Sequence, residues 1–249
     1  MTSQANLRDK KALVTGGSRG IGAATALRLA QEGADVSVTY VHGKEAAEEV
    51  VRAVEALGRR AVALRADAAD AEEAVGAVSR AAEALGGLDI LVNNAAVGLM
   101  QPLENLSLAD VDHLIAVNVR GMFLAAQAAA ALMAPGGRII TVGSCVTHHT
   151  PGPGATLYAM SKSAVVGLTK ALARELGGRG ITANIVHPGP TDTDMNPADG
   201  PFASDQAAMT ALGRYGTAEE VAATVAHLAG PDAVYVTGAE LSVDGGYAA

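Results

Sequence analysis

The chain has 249 residues, a formal net charge of −8 and 49% hydrophobic residues. That length and apolar fraction allow one large α/β domain, and the negative charge excludes a global basic surface for nucleic acid or anionic lipid. The one cysteine excludes internal disulfides and a cysteine-rich metal site, and residues 1–10 lack the features of a secretory signal. We therefore expect a cytoplasmic protein without nucleic-acid or membrane partners.

Short β-branched runs alternate with longer helical segments along the chain. Strands are predicted at 12–15, 36–41, 61–65, 90–93, 138–142, 181–186 and 240–243, and helices at 21–32, 45–57, 71–85, 108–134, 156–176 and 218–228. No linker or internal repeat divides them. The alternation predicts a single Rossmann-type, doubly wound α/β domain over 1–249, with a seven-stranded parallel sheet and helices on both faces. The apolar stretch 122–134 is too short to span a bilayer.

A glycine-rich turn, TGGSRGIG at residues 15–22, joins the first predicted strand to the first helix. Gly16 permits a tight turn, Gly20 lets the backbone approach a pyrophosphate, and Gly22 lets the helix pack closely on the strand. The helix N-terminus then offers N–H groups and the positive end of its dipole to phosphates. An ordinary glycine turn is the simpler alternative, but its position between strand and helix favours nucleotide binding.

The end of the second strand indicates which nucleotide binds. An acidic residue there would bond the ribose hydroxyls and repel a 2′-phosphate, but the strand ends in Tyr40 and Val41, and Asp35 lies at the opposite end. Arg19 could pair with a 2′-phosphate through its planar guanidinium, unless it is merely a solvated loop residue. These observations favour NADP(H).

Further unusual residues follow the ends of other predicted strands, namely Asp67, Asn93, Ser144 and Pro188. Open parallel sheets bind ligands at the edge where the strands end. The stretch 188–204 is irregular and rich in Pro, Gly and Asp, and irregular loops of this length are usually functional. We predict a substrate lid at about 194–211 that is mobile without ligand.

Tyr158 and Lys162 are four residues apart on a predicted helix, so both side chains share one face. A tyrosine with its ordinary pKa of about 10 is a poor acid–base catalyst at neutral pH. A neighbouring ammonium and a nearby oxidised nicotinamide both favour the phenolate and would lower that pKa. The pair predicts a proton-transfer group, with a surface pair on an exposed helix as the alternative.

Four polar or reactive residues have two interpretations each. Ser144 could bond the substrate oxygen or be an ordinary turn residue, and Asn118 stands mid-helix against its propensity, for a functional reason or as a buried structural amide. His148 could contact substrate or lie in a plain loop; as a metal ligand it lacks partners at suitable spacing, so no metal is predicted. Cys145 is more typical of a small packing residue than of a nucleophile.

The strings TGGSRGIG, NNAA, VNV around Asn118, VGS at Ser144, YAMSK, HPGPTDTDM and VTGAELSVDGGY together resemble the short-chain dehydrogenase/reductase family over essentially the whole chain. The resemblance implies a catalytic tetrad of Asn118, Ser144, Tyr158 and Lys162, in which Asn118 holds a water that feeds protons through Lys162. It also implies strand order 3-2-1-4-5-6-7 and a homotetramer built on the long fourth and fifth helices. The complete predicted cofactor-binding set is Gly16, Ser18, Arg19, Gly20, Ile21, Tyr40, Asp67, Ala68, Asn93, Ala95, Tyr158, Lys162, Pro188, Gly189, Thr191 and Thr193.

The expected activity is NADP(H)-dependent interconversion of a small-molecule ketone and a secondary alcohol. Bacterial β-ketoacyl-carrier-protein reductases are similar in overall pattern, so 3-oxoacyl-[acyl-carrier-protein] reduction is the main alternative. The region expected to dock an acidic carrier, residues 132–138, offers only Arg138, although Arg179 could serve as a further basic contact. A non-catalytic NADP-binding regulator on the same fold is a further alternative, which the complete tetrad disfavours.

Overall fold

The computed structural model describes residues 6–249. Its strands are β1 (Lys11–Val14), β2 (Asp35–Tyr40), β3 (Ala61–Arg65), β4 (Ile90–Asn93), β5 (Arg138–Val142), β6 (Thr182–Pro188) and β7 (Glu240–Val243). Its helices are α1 (Gly20–Gln31), α2 (Lys44–Ala56), α3 (Ala71–Leu85), α4 (Leu108–Ile115), α5 (Met122–Leu132), α6 (Thr156–Leu176), α7 (Ala203–Ala208) and α8 (Ala218–Ala229).

The seven strands form one parallel sheet in the order β3-β2-β1-β4-β5-β6-β7. The predicted strand order is therefore confirmed. Strand β1 pairs on one side with β2, where Ala12 is opposite Val36, and on the other with β4, where Ala12 is opposite Ile90. The strand order reverses at β1, which creates the crevice where such sheets bind ligands.

Both faces of the sheet are covered by helices, because the strands are apolar on both sides and must be buried twice. One core cluster contains side chains of α1, α2 and α8, including Leu29, Val54 and Val225, together with β1 and β2. The other contains side chains of α3, α5 and α6 against the opposite face, including Val78 and Ala126. The site residues thus lie at the ends of strands that are packed between two layers of helices.

Three predicted boundaries are wrong for identifiable reasons. Strand β6 continues through Pro188, because Pro188 lies opposite Val243 and the next N–H, of Gly189, donates to the Val243 carbonyl. The predicted helix 108–134 is interrupted by a π-helical segment, Ala116–Gly121, between α4 and α5. The predicted irregular stretch contains the short β-bridges Thr191–Gly216 and Thr193–Asn196 and is followed by α7, so much of it is ordered.

The continuous helical stretch Leu108–Leu132 has 25 residues, and its most apolar 18-residue window has a mean hydropathy of 1.4, so the stretch is long and apolar enough to cross a membrane by length and composition. The length argument against a membrane span is therefore wrong. Burial is the better criterion: 56% of its most apolar window is buried inside this fold, and Ala125, Ala126 and Ala129 pack into the core between α3 and α6. Core helices of globular domains share this apolar character.

Candidate active site

The glycine turn after β1 is held in a conformation that side chains do not tolerate. Gly16 and Gly20 have φ angles of +63° and +52°, in the left-handed region that favours glycine. A Cβ on Gly16 would lie 2.9 Å from the Cα of Ala95, and one on Gly22 would overlap the carbonyl oxygen of Gly16. The turn therefore presents bare backbone toward the crevice, as close approach of a pyrophosphate requires.

The N-terminus of α1 is open to an anion. Arg19 is its N-cap in extended conformation, and among the described residues no side chain caps this end and no acid occupies the first turn. By contrast, Ser107 and Thr217 close the N-termini of α4 and α8 with capping boxes. Free N–H groups and the positive end of the helix dipole are what a phosphate group requires, so the residues present fit a dinucleotide.

No carboxylate stands at the end of β2 that faces this turn. Thr39 accepts a hydrogen bond from the Gly16 N–H through its Oγ1, at 3.0 Å, and Tyr40 is the last residue of the strand. Asp35 is buried at the far end, 2.8 Å from both Arg59 and Arg60. Burial works against its ionisation, but the hydrogen bonds from Arg60 and the charge of Arg59 outweigh burial and hold its pKa below the ordinary value.

Arg19 lies at the mouth of the crevice opposite the predicted lid. Its Nη1 is 3.8 Å from Oδ2 of Asp194, and the two side chains are 72% and 69% exposed. An ion pair this exposed contributes little to stability. The Arg19 guanidinium is therefore available to another anion, such as a 2′-phosphate.

The floor and far wall of the crevice contain the other predicted binding residues. Asp67 and Ala68 follow β3, and the Asp67 carboxylate accepts from the N–H of Ala69 at 2.8 Å. Asn93 ends β4; its Nδ2 donates to the Met122 carbonyl at 3.1 Å, whereas its buried Oδ1 has no partner among the described residues. Asn93 and Ala95 line one small cavity together with Ala68, so a ligand there would reach an unsatisfied acceptor.

Asn94 is a site residue that the sequence interpretation missed. Its Nδ2 donates to the carbonyls of Thr15 and Gly16 at 2.9 and 3.0 Å, and its N–H donates to Thr15 Oγ1. These bonds tie the end of β4 to the glycine turn. The string NNAA contained the signal for this residue. Its two successive asparagines place two side-chain amides at a strand end, and each amide needs hydrogen-bond partners.

The segment after β6 crosses the crevice against the glycine turn. Gly189 packs on Asp244 so closely that a Cβ would lie 2.6 Å from its Cα. The Thr191 hydroxyl donates to the Gly189 carbonyl at 2.9 Å, and a Cβ on Gly20 would lie 3.2 Å from the methyl carbon of Thr193. The predicted residues Pro188, Gly189, Thr191 and Thr193 thus lie within one short segment that faces the start of α1.

Ser144, Tyr158 and Lys162 come together where β5 ends beside α6. Ser144 lies near enough to the Tyr158 phenol to favour its ionised form, and Lys162 Nζ lies 5.8 Å from the centre of the Tyr158 ring. Lys162 is 2% exposed and donates to the Val142 carbonyl at 3.0 Å. The predicted proton-transfer residues Tyr158 and Lys162 therefore lie together on α6, beside the end of β5.

The expected direction of the Tyr158 pKa shift is wrong for this structure. Burial raises the pKa of the Tyr158 phenol to about 12, and the bond with Ser144 only partly opposes it. Burial also lowers the pKa of Lys162 to about 8. The Lys162 ammonium is directed at a backbone carbonyl, so desolvation outweighs its attraction for a phenolate. The phenol of the free protein therefore keeps its proton at neutral pH, but a pKa this high makes it a weaker acid than a free tyrosine.

Asn118 is buried in the π-helical segment and links two parts of the site. Its Oδ1 accepts from the Val97 N–H, and its Nδ2 donates to the Val97 carbonyl and to Ser161 Oγ, at 2.9, 2.9 and 3.1 Å. Ser161 in turn donates to the Tyr158 carbonyl at 2.8 Å. Asn118 therefore fixes the loop after β4 to α6, which is the structural role left open by the sequence; Ser161 was not anticipated.

The predicted lid contains α7 and several exposed apolar side chains. Met195, Phe202 and Met209 are 60%, 68% and 37% exposed. A Cβ on Gly98 would lie 3.5 Å from the Met195 sulfur, so the lid reaches the loop after β4. The lid thus presents an apolar surface beside the catalytic strand ends.

Comparisons with known proteins agree with this geometry. The family described as "Enoyl-(Acyl carrier protein) reductase" matches residues 16–248. The chain is 42% identical over 240 residues to the "Cyclic-di-GMP-binding biofilm dispersal mediator protein" of Escherichia coli, covering 96% of this chain and 98% of that one. It is 40% identical over 240 residues to a 3-oxoacyl-[acyl-carrier-protein] reductase of Staphylococcus aureus, covering 95% of this chain and 97% of that one.

One solved structure is more similar in sequence to this chain than either of these two relatives. A short-chain dehydrogenase from Burkholderia cenocepacia, crystallised in complex with NADP, superposes with a TM-score of 0.97 at 54% identity and covers 98% of this chain and 100% of its own. The two folds coincide over nearly the full length. The chain therefore belongs to the short-chain dehydrogenase/reductase family of NADP(H)-dependent oxidoreductases.

Proposed function

We propose that this protein reduces a free, largely apolar ketone to a secondary alcohol with NADPH, and catalyses the reverse oxidation with NADP⁺. The observation that carries the proposal is the placement of the Tyr158 phenol near Ser144, with Nζ of the buried Lys162 5.8 Å from the ring centre, at the ligand-binding edge of the sheet. The apolar lid side chains suit an apolar substrate.

The glycine turn and the strand ends would hold the cofactor. We assign the pyrophosphate to the free N–H groups of Gly20 and Ile21 with Ser18, the 2′-phosphate to Arg19 beside Tyr40, and the adenine to Asp67 and its neighbours. Ala68, Asn93, Ala95, Lys162 and the residues Pro188, Gly189, Thr191 and Thr193 complete this set. Bound NADPH supplies the hydride; the remaining steps belong to side chains of this chain.

Ser144 and Tyr158 would act on the substrate oxygen. As negative charge grows on that oxygen, the Ser144 hydroxyl donates a hydrogen bond to it and Tyr158 transfers its proton. Lys162 stabilises the Tyr158 phenolate that remains after proton transfer, since a buried anion needs a nearby cation. Asn118 would hold the loop after β4 in place against α6. It would also bind a water near Lys162, and the proton lost by Tyr158 would be replaced through that water.

Delivery of the substrate by an acyl carrier protein is the second candidate, because the Staphylococcus aureus relative is a 3-oxoacyl-[acyl-carrier-protein] reductase. A basic docking surface is what an acidic carrier requires. Here Arg138 is 8% exposed and donates to the carbonyls of Gly136 and Gly137, and Arg179 donates to the Met133 carbonyl. Both arginines are occupied by the backbone, which favours a free ketone.

A screen of NADPH consumption against ketones, quinones, sugars and β-ketoacyl thioesters tests the proposal directly. We expect turnover with apolar ketones that does not increase when acyl carrier protein presents the same acyl group. A rate that rises at least ten-fold with the carrier would support the second candidate. No turnover with any carbonyl, combined with tight NADPH binding, would favour the regulator suggested by the name of the Escherichia coli relative.

Arg19→Ala is expected to weaken NADPH binding far more than NADH binding. Loss of one charge-assisted hydrogen bond is worth on the order of 1.5–3 kcal/mol, which corresponds to roughly ten-fold or more in affinity. Fluorescence titration of both cofactors measures the effect. Arg52→Ala, which removes an exposed arginine from α2, is the matched control and should change neither affinity. Equal affinity of the wild type for the two cofactors would contradict this assignment.

The lid, residues 194–211, is expected to exchange amide hydrogens fast in the free protein and slowly in the complex with NADP⁺ and an alcohol. Its exposed apolar side chains gain a partner only when substrate is present. Hydrogen exchange followed by mass spectrometry reports the difference, with β5 as an internal reference that should be protected in both states. Strong and equal protection of the lid in both states would rule out a closing motion.

The proposed setting is a cytoplasmic homotetramer in which 1–249 is one domain. Exposed apolar side chains on α4, α5 and α6, namely Leu108, Phe123, Leu132 and Met160, support an intersubunit face on these helices. Light scattering coupled to size-exclusion chromatography would measure the mass of the assembly, for which we expect four chains of 24.9 kDa.

A further inference from the structure

Two histidines and a glutamate meet behind the Ser144 turn, outside the proposed cofactor and substrate sites. His148 follows Ser144 in the chain, His187 lies in β6, and Glu240 begins β7. Oε2 of Glu240 is 3.3 Å from Nε2 of His187 and 3.8 Å from Nε2 of His148, and one ligand atom from each residue lies within 4.8 Å of the others. The three come from distant parts of the sequence, so spacing along the chain could not reveal them.

The buried His187 leaves one of its ring nitrogens without a partner. The side chain is fully buried, and its Nδ1 lies 2.9 Å from the Ser144 carbonyl oxygen, its shortest contact. The Ser144 N–H nitrogen also lies 3.2 Å from Nδ1, so the roles of the two ring nitrogens depend on the tautomer; in the tautomer whose Nδ1–H donates to the Ser144 carbonyl, the lone pair is on Nε2. That nitrogen makes no hydrogen bond to any described residue, yet faces the Glu240 carboxylate. Two electron-rich atoms at this distance need a cation or a proton between them.

We propose that His148, His187 and Glu240 form a zinc site, with Nε2 of each histidine and Oε2 of the glutamate as ligands and water in the fourth position. Zinc binds imidazole nitrogen and carboxylate oxygen at about 2.0–2.2 Å, so its tetrahedral ligands lie roughly 3.3–3.5 Å apart. The 3.3 Å separation of Glu240 from His187 matches that value, and the 3.8 Å separation from His148 exceeds it by a few tenths of an ångström. A ligating histidine usually donates its other N–H to a backbone carbonyl, as His187 can to Ser144.

The surroundings of the three residues are compatible with entry of a metal ion. The His148 side chain is 36% exposed, so the ion can reach the cluster from solvent, whereas His187 forms its buried floor. Glu240 uses its other oxygen, Oε1, to bind Lys170 Nζ at 2.6 Å, and this hydrogen bond from Lys170 lowers the pKa of Glu240. The carboxylate is thus ionised, and Lys170 is a cation that a metal would have to tolerate or displace.

Zinc at this position would also restrain the serine turn. His187 Nδ1 lies 3.2 Å from both the Ser144 N–H nitrogen and the Thr147 hydroxyl, and a Cβ on Gly143 would lie 2.7 Å from it. An imidazole fixed by a metal would therefore hold the backbone that orients Ser144. Metal binding itself does not depend on the proposed reduction, so it can be tested on protein without any substrate.

The test is titration of the full-length protein with zinc chloride by calorimetry, together with the visible ligand-field spectrum after cobalt addition. The wild type should bind one zinc per chain and give the intense spectrum of tetrahedral cobalt. His148→Ala and Glu240→Gln should weaken binding at least ten-fold and abolish that spectrum. His149→Ala is the matched control, because His149 packs on Tyr247, with ring centres 5.5 Å apart, and is outside the cluster.

A fourth variant separates this site from non-specific binding to surface histidines. Lys170→Met removes the cation that competes for Glu240 and should tighten zinc binding several-fold, which a surface site elsewhere would not show. Thermal melting of each variant confirms that it is folded. The proposal is overturned if folded His148→Ala binds zinc as the wild type does, or if His149→Ala loses as much affinity as His148→Ala. Unchanged affinity in folded Glu240→Gln would likewise overturn it, because Glu240 would then not be a ligand.

Discussion

Tyr158→Phe is expected to lower single-turnover oxidation of NADPH by at least roughly 10²–10⁴-fold with any active ketone, because it removes a positioned acid but keeps the ring. The fold and the affinity for NADPH should be preserved, since the phenol oxygen is not part of the core packing. Single-turnover fluorescence measures the rate, and cofactor titration measures binding.

Tyr235→Phe is the control for this experiment, because the Tyr235 side chain is fully exposed and has the same chemistry. It should react at the wild-type rate. If Tyr158→Phe retained most of the wild-type rate, Tyr158 would not be the proton donor and the tyrosine–lysine pair would be an ordinary helix pair.

Lys162→Met is expected to impair catalysis and cofactor binding while making the free protein more stable at neutral pH. Turnover should fall by roughly 10²-fold or more, because the phenolate loses its cation. The buried ammonium has a single backbone acceptor within the described residues, so replacing it with an apolar chain of similar size removes a desolvation penalty. Opposite effects on activity and stability distinguish a functional lysine from a structural one.

Lys162→Met is also expected to change how the free energy of unfolding depends on pH. Burial lowers the folded-state pKa of Lys162 to about 8, below its ordinary value of about 10.4, so the unfolded chain binds more protons between these values. Stability of the wild type relative to Lys162→Met should therefore rise as pH increases from 8 to 10. Urea unfolding of the two ligand-free proteins at several pH values measures this difference in stability. A difference that stays constant with pH would mean that Lys162 is not desolvated.

The sequence was sufficient for the sheet and for most of the crevice, because both depend on local signals. Strands β3, β4, β5 and β7 and helices α3 and α6 begin and end where the pattern of apolar residues predicts. The glycine turn, Tyr158 and Lys162 were predicted from spacing within a few residues. Such features are determined by backbone geometry at one place in the chain.

Features that depend on contacts between distant residues could not be predicted in the same way. The π-helical interruption contains the buried Asn118, which bonds across to Val97, and the raised pKa of Tyr158 follows from burial of its phenol by other parts of the chain. The cluster of His148 with His187 and Glu240 arises only because β6 and β7 are neighbours in the sheet. Neither propensity nor periodicity contains this information.

The uncapped N-terminus of α1 has a consequence for the lifetime of the protein in a cell. Without a nucleotide, the first turn of this helix has N–H groups that no described side chain satisfies, so the empty form opens locally more often. A ligand at one hundred times its Kd would add about 2.7 kcal/mol to the folded state. When the nucleotide pool is depleted, the empty form would be the preferred target of proteases, and the abundance of the protein would follow the supply of NADP(H) without any change in gene expression.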